Sequence, residues 1–291
     1  MALPLQTELD ERYGSRRLDT RSSTEDVHAY FRTAYYDAVQ GGQKGVDIKR
    51  SLDGGEAADA QRRWMAQTLF SDIAWLIETQ APGRRVLDAG CGTGDLLSDL
   101  AGRDFEVEGI ELAPAALAAA RSKGHSVHGG AFESFEPATP FDAVLFMHVL
   151  SHASEPQAML EHARKILAPD GVLLIRTGND FNPLQQVLSG DLGHPEYWVS
   201  ADHQHYFDFA SVERLMDAAG FDLVYSQSDF PMEMIALMGQ DFIADPALGK
   251  SAHDQRVHFE MQVPPETRRQ LYRAFAQAGL GRCVLMAGRA R

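Results

Sequence analysis

The stretch RRVLDAGCGTGD, residues 84–95, decides the reading of the chain. A short apolar run, Val86 and Leu87, is closed by Asp88, and three glycines then alternate at 90, 92 and 94 before Asp95. This is a strand entering a tight turn that opens a helix. Glycine suits such a turn because the backbone must take positive φ and let a ligand approach closely. The helix that follows offers free N–H groups to polar or anionic atoms. One strand further on, FEVEGIEL at 105–112 alternates in polarity and carries Glu111 near its end, where an acidic side chain can hold the two hydroxyls of a ribose.

Two ligand classes share that layout. A dinucleotide-binding turn has the spacing G-x-G-x-x-G, in which the third glycine allows close helix packing. Here the spacing is G-x-G-x-G with Asp95 next, so no pyrophosphate cradle is implied and a nicotinamide-dependent oxidoreductase is the weaker rival. VLDAGCGTGD resembles the first motif of class I S-adenosylmethionine (SAM) methyltransferases, and Glu111 matches their acidic ribose ligand. The resemblance implies SAM as cofactor. It also implies a cofactor site built from Asp88, Gly90, Gly92, Gly94, Glu111, Leu112, Ala131, Phe132 and Met147, with an N-terminal tyrosine, Tyr35 or Tyr36, closing on its methionine end. The second rival is a non-catalytic SAM-binding regulatory or interaction protein.

The 291 residues are 44 % hydrophobic, enough for one large domain or a core with an appended lid. The net charge of −14 argues against a nucleic-acid backbone as partner, since such binders usually carry a basic face. The first residues lack a signal-peptide pattern, and no apolar run approaches the roughly 18 residues of a membrane span. Cys91 lies in the glycine turn and Cys283 in a late apolar run, which disfavours a structural disulfide; the expectation is a cytoplasmic protein without membrane association.

Residues 1–56 read as a polar, irregular N-terminal lid segment punctuated by GGQKG at 41–45, with one amphipathic helix over 27–39 that either packs its aromatics on the core or covers the site. Residues 57–291 read as the SAM-binding domain. Apolar positions at Trp64, Leu69, Ile73, Leu76 and Ile77 predict a helix over 57–80. Beyond the glycine motif, helices over 95–101, 114–121 and 156–166 alternate with strands over 105–112, 125–129, 141–147 and 172–176, and LAPDG at 167–171 reads as a turn. That alternation predicts a parallel sheet with helices on both faces and ligands at the strands' carboxyl ends. The fold expected from the resemblance is a Rossmann-like, seven-stranded, mostly parallel α/β sheet. Residues 230–282 are a late insertion before a last strand at 283–290; they include a Met-rich stretch, either core filling, an acceptor-pocket wall or a homodimer contact, and a helix over 265–279.

FDAVLFMHVLSHASEP and ADHQHYFDFASVERLMDAAGFDLV (201–224) resemble small-molecule methyltransferases of the quinone and natural-product O-methylating kind. The resemblance spans about 84–225 and departs in two places. GGAFESF carries Ala131 and Phe132 where an acidic residue is common, so Phe132 would pack on adenine; Ser151-His152 stands where Glu-His is common. There is no Asn/Asp-Pro-Pro-Tyr of base amino methylation and no covalent nucleophile signature. The implied reaction is methyl transfer to a small molecule, oxygen favoured over nitrogen. A hydroxyl acceptor must lose its proton, and His148, His203 and His205 are the candidate bases. His194, Asp202, His203 and His205 could also suggest a metal site, but successive side chains on an extended segment face opposite ways, and no metal is expected. Arg176 would bind an acidic acceptor or pair with a neighbour.

Overall fold

The computed structural model describes residues 5–20, 22–42 and 45–291, so part of the GGQKG stretch and the first four residues lie outside the described residues. The chain opens with strands β1 (Thr7–Asp10) and β2 (Ser15–Leu18), then helices α1 (Thr24–Thr33), α2 (Tyr35–Gln40), α3 (Val46–Asp53), α4 (Gly55–Gln67) and α5 (Leu69–Gln80). The alternating part follows: β3 (Arg85–Ala89), α6 (Asp95–Ala101), β4 (Glu106–Glu111), α7 (Pro114–Ser122), β5 (Ser126–Gly129), β6 (Phe141–Met147), α8 (Pro156–Ile166) and β7 (Leu167–Gly178). After α9 (Pro183–Gln186) come β8 (His205–Tyr206), α10 (Phe209–Ala218), β9 (Phe221–Gln227), α11 (Met232–Leu237), α12 (Gly249–Gln262), α13 (Pro265–Gln277) and β10 (Cys283–Ala290).

The main sheet has seven strands in the order β5-β4-β3-β6-β7-β10-β9. β10 runs antiparallel to both of its neighbours, and the β4–β5, β3–β4, β3–β6 and β6–β7 pairs are parallel. The central strands are apolar at almost every position because helices cover both faces. In β6, Val144 and Phe146 join Leu173 and Ile175 of β7 under α8 and α10; the alternate residues Ala143 and Leu145 join Val172 and Leu174 under α5 and α6. This two-sided core is what the unbroken apolar runs at 141–147 and 172–176 predict.

Four details differ from the sequence reading. The helix over 57–80 is two helices, because Thr68 leaves helical backbone (φ −119°, ψ −96°) and turns its hydroxyl back onto the Trp64 carbonyl at 2.7 Å. The helix over 27–39 likewise divides at Ala34. LAPDG falls within β7 rather than before it: Leu167 pairs with Phe141, the next paired residue is Val172 opposite Ala143, and the register shifts across the unpaired 168–171, where Asp170 takes φ +61°. The N-terminal segment is also less irregular than its composition suggests, since β1, β2 and β8 form a second, antiparallel sheet.

Residues 230–282 are held on by buried charge as well as apolar contact. Glu260 of α12, 2 % exposed, accepts from the Trp64 indole (2.7 Å), the Tyr272 hydroxyl (2.5 Å) and Arg256 Nε (3.1 Å). Of the methionines, Met232 packs with Ile235 and Ala252, whereas Met238 is 72 % exposed. Among the described residues no helix is long and apolar enough to cross a membrane. Glu260→Ala strands three buried donors at once, one of them charged, and should cost on the order of 3–5 kcal/mol in urea denaturation. A loss below about 1 kcal/mol would show that α12 is not anchored this way.

Candidate functional site

The glycine turn is fastened to β4. The N–H groups of Gly90 and Cys91 both donate to the Ile110 carbonyl, at 2.8 and 3.0 Å. Gly90, Gly92 and Gly94 have φ of +80°, +55° and +77°. At Gly90 there is a further restriction, because a Cβ would stand 2.6 Å from a Val149 methyl. The residue after Ile110 is Glu111, so its carboxylate arrives at the turn: Oε2 accepts the Gly92 N–H at 2.9 Å and Oε1 the Ala113 N–H at 2.8 Å. Burial raises the Glu111 pKa, opposed by these backbone donors. A carboxylate has about four acceptor sites, more than its backbone donors fill, so it can still take hydroxyls.

A cavity of about 200 Å³ opens here, lined by Gly90, Gly92, Glu111, Leu112, Phe132 and Met147 at the strand ends. Tyr36 lines it from α2, with its hydroxyl above Gly92: a Cβ on that glycine would lie 3.7 Å from it. Burial, then Glu111, holds the Tyr36 phenol protonated well above its ordinary range. Phe132 is fixed edge-on to Phe146 and His162, both at 5.0 Å. Three residues assigned to the cofactor do not line the cavity. Asp88 lies beneath the turn, 2 % exposed, with Oδ1 lacking a hydrogen-bond partner among the described residues; burial, then Glu111, pushes its pKa up to about 7. Gly94 caps α6, and Ala131 caps a single 3-10 turn that carries Phe132. These three shape the site from behind. Sequence reasoning did not assign Phe31 or His152 to this cavity, although both line it.

A second cavity, of about 370 Å³, lies on the other side of His148, which lines both. His148 has φ +60°, a strained value for a non-glycine residue and one often found at functional positions. Its N–H donates to the Arg176 carbonyl at 2.7 Å, and its ring meets the Arg176 guanidinium. Although the residue is exposed to the cavities, desolvation by the atoms packed about its ring, then the Arg176 charge, lowers its pKa well below that of free histidine, which favours the neutral imidazole. Arg176 itself pairs with Asp229 at 3.1 Å while also lining the second cavity. Arg256 reaches the same carboxylate at 3.3 Å, and Asp229 also accepts the N–H groups of Arg282 and Cys283. Burial would raise the Asp229 pKa, but Arg256 and Arg176 outweigh it and keep the acid ionised.

The histidines divide. His203 lines the second cavity, its ring 4.9 Å from that of His152. His152 Nδ1 lies 2.7 Å from the Asp202 carbonyl, which can only accept, so Nδ1 carries the proton there. His205 is a correction. Inside β8 its side chain turns into the core, 0 % exposed and stacked on Phe207, with its pKa pushed down to about 4 by burial; it lines neither cavity. His203 precedes the strand and escapes that constraint. His194 pairs with Asp241 at 2.9 Å. Among the described residues no group of His, Cys, Asp or Glu is arranged to hold a metal ion.

The profile described as a methyltransferase domain matches residues 61–226, more than half the chain. A ubiquinone biosynthesis O-methyltransferase of Idiomarina loihiensis is 31 % identical over 158 residues, covering 48 % of this chain and 62 % of that one. The same-named protein of Xylella fastidiosa is 36 % identical over 107 residues, covering 33 % and 43 %. The chain thus spans less than two thirds of the length of these relatives. Magnesium protoporphyrin IX methyltransferase from Synechocystis PCC 6803, solved with SAH bound, superposes with a TM-score of 0.52 at 20 % identity over 70 % of this chain and 92 % of its own, a likeness of fold.

Proposed function

The chain belongs to the methyltransferase-domain family, and from that premise we propose that it transfers the methyl group of SAM to a small-molecule acceptor, at oxygen in preference to nitrogen. The observation that carries this reading is the pair of cavities meeting at His148, one framed by the glycine turn and Glu111 and the other walled by polar residues. Gly90, Gly92, Glu111, Leu112, Phe132, Met147 and Tyr36 would hold SAM, and the fit rests on Glu111's spare acceptor capacity beside a turn whose Gly90 has no room for a side chain. SAM supplies an electrophilic methyl: its carbon–sulfur bond breaks as the carbon–oxygen bond forms, the electron pair stays on sulfur, and the acceptor's proton must leave.

Removing that proton falls to the histidine cluster. His148 is a weak base, because local desolvation and Arg176 hold its pKa low, and it serves better as the neutral wall between the cavities. His203 faces the acceptor side and is our candidate base. Helices α1 and α2 act as a lid: Phe31, Tyr35 and Tyr36 cover the cofactor cavity, and the His28–Glu133 contact at 3.5 Å ties α1 to its rim.

Three outcomes follow from this reading. Glu111→Ala should weaken calorimetric SAM binding at least roughly tenfold, since charge-assisted hydrogen bonds contribute about 1.5–3 kcal/mol each; unchanged affinity removes the ribose assignment. His203→Ala should lower turnover by about 10²–10⁴ with S-adenosylhomocysteine affinity unmoved, and near wild-type turnover would rule it out as the base. S-adenosylhomocysteine should protect residues 24–40 from limited proteolysis, whereas equal cleavage with and without it would argue against a closing lid.

A further inference from the structure

The second cavity contains a carboxylate with unused bonding capacity. Asp180, just beyond β7, is 8 % exposed, and its Oδ2 lacks a hydrogen-bond partner among the described residues. The carboxylate folds back over the strand end: a Cβ on Gly178 would lie 2.7 Å from Oδ2. Behind it stands Glu233 of α11, 1 % exposed, whose Oε1 accepts the Tyr197 hydroxyl at 2.8 Å and whose Oε2 is likewise unpartnered. Asp180 on the cavity wall and Glu233, close enough to raise the Asp180 pKa, thus each have an oxygen unfilled, and such atoms call for an explanation.

The cations nearby do not supply it. Arg176 and Arg256 are committed to Asp229, and Arg268 to Asp72. Arg282 is near enough to Asp180 to lower its pKa, but it is exposed and accessible to water. Tyr197 and Trp198 complete this end of the cavity with aromatic surface, which also favours a cation.

We propose that the acceptor bound in this cavity carries a basic nitrogen, present as an ammonium group, which Asp180 binds with Glu233 reinforcing the negative field; this rests on the second cavity being the acceptor site. An uncharged hydroxyl could fill one oxygen but gives no reason for Asp180 to ionise, whereas a cation does. A carboxylate ligand would be repelled. The titratable groups around Asp180 are Glu233, Tyr197, Tyr206 and Arg282, and burial, only partly offset by Arg282, pushes its pKa up to about 8. The empty site is therefore mostly protonated at neutral pH. An arriving ammonium lowers that pKa, the proton leaves to solvent, and affinity rises with pH up to about 8.

The test uses three phenols that differ in charge: tyramine, 4-ethylphenol and 3-(4-hydroxyphenyl)propionate. Each is titrated calorimetrically into the whole protein, with and without saturating S-adenosylhomocysteine. Tyramine should bind at least about tenfold more tightly than the other two. At pH 7 in buffers of different ionisation heat, its binding should release on the order of one proton. Asp180→Asn should bring tyramine level with 4-ethylphenol while S-adenosylhomocysteine affinity stays unchanged. Equal or tighter binding of the neutral or acidic phenol, absence of tyramine binding at millimolar concentration, or no proton release overturns the proposal. If Asp180→Asn fails to fold, the charge preference and proton count of the unmodified protein decide. A tyramine preference in a protein that does not bind S-adenosylhomocysteine would leave the amine site standing and refute the cofactor reading instead.

Discussion

The Ile110 carbonyl, accepting from Gly90 and Cys91 together, is the contact on which the rest of the site depends. It sets the height of the glycine turn against the end of β4, and Glu111, the next residue, is thereby brought to the turn's own N–H groups. The turn can lie that low only because Gly90 has no side chain to meet Val149. Parallel pairing of β3 with β4, in register from Arg85–Glu106 to Ala89–Ile110, brings the two strand ends level. Cofactor geometry is therefore a property of the sheet, and its polar groups are held before any ligand arrives.

The other half of the molecule solves a different problem. A polar cavity at the ends of the central strands needs polar walls, and polar walls inside a core are costly unless paired. The late helices meet that requirement by exchanging charges across the cavity. Asp229 takes two arginines and two backbone N–H groups, and Glu260 takes an indole, a phenol and an arginine. Among these buried acids Asp180 and Glu233 are exceptions, each with one oxygen that has no hydrogen-bond partner among the described residues.

What was legible in the sequence follows from range. The glycine turn, Glu111 and the β6 and β7 runs are local patterns, and their structure is the one the patterns imply, down to the alternation of Val144 and Phe146 with Ala143 and Leu145. The breaks at Thr68 and Ala34 were not legible, because neither residue is a helix breaker and each break is set by what the flanking helices pack against. The antiparallel partner of β8 lies near residue 17, so no local signal could join them. His205 misled for the same reason. It sits two residues from His203 and looks equivalent in sequence, yet pairing with Arg17 fixes its side chain in the core.

The polar cavity was the least legible feature, since its members come from β7, the 197–203 loop, α12 and the segment before β10. Each of these residues alone reads as ordinary surface charge in an acidic chain. Only the fold makes Arg176 the partner of a residue 53 positions later and puts His148 against it. That contact has a chemical consequence. A histidine whose pKa is held low by local desolvation and an adjacent guanidinium adds no positive charge where two cavities meet, so a cationic sulfonium on one side and a cationic acceptor on the other would not be repelled by the wall between them. The ion-paired Arg176, its charge offset by Asp229, serves the same end, and the strained backbone at His148 is the conformation that holds the ring there.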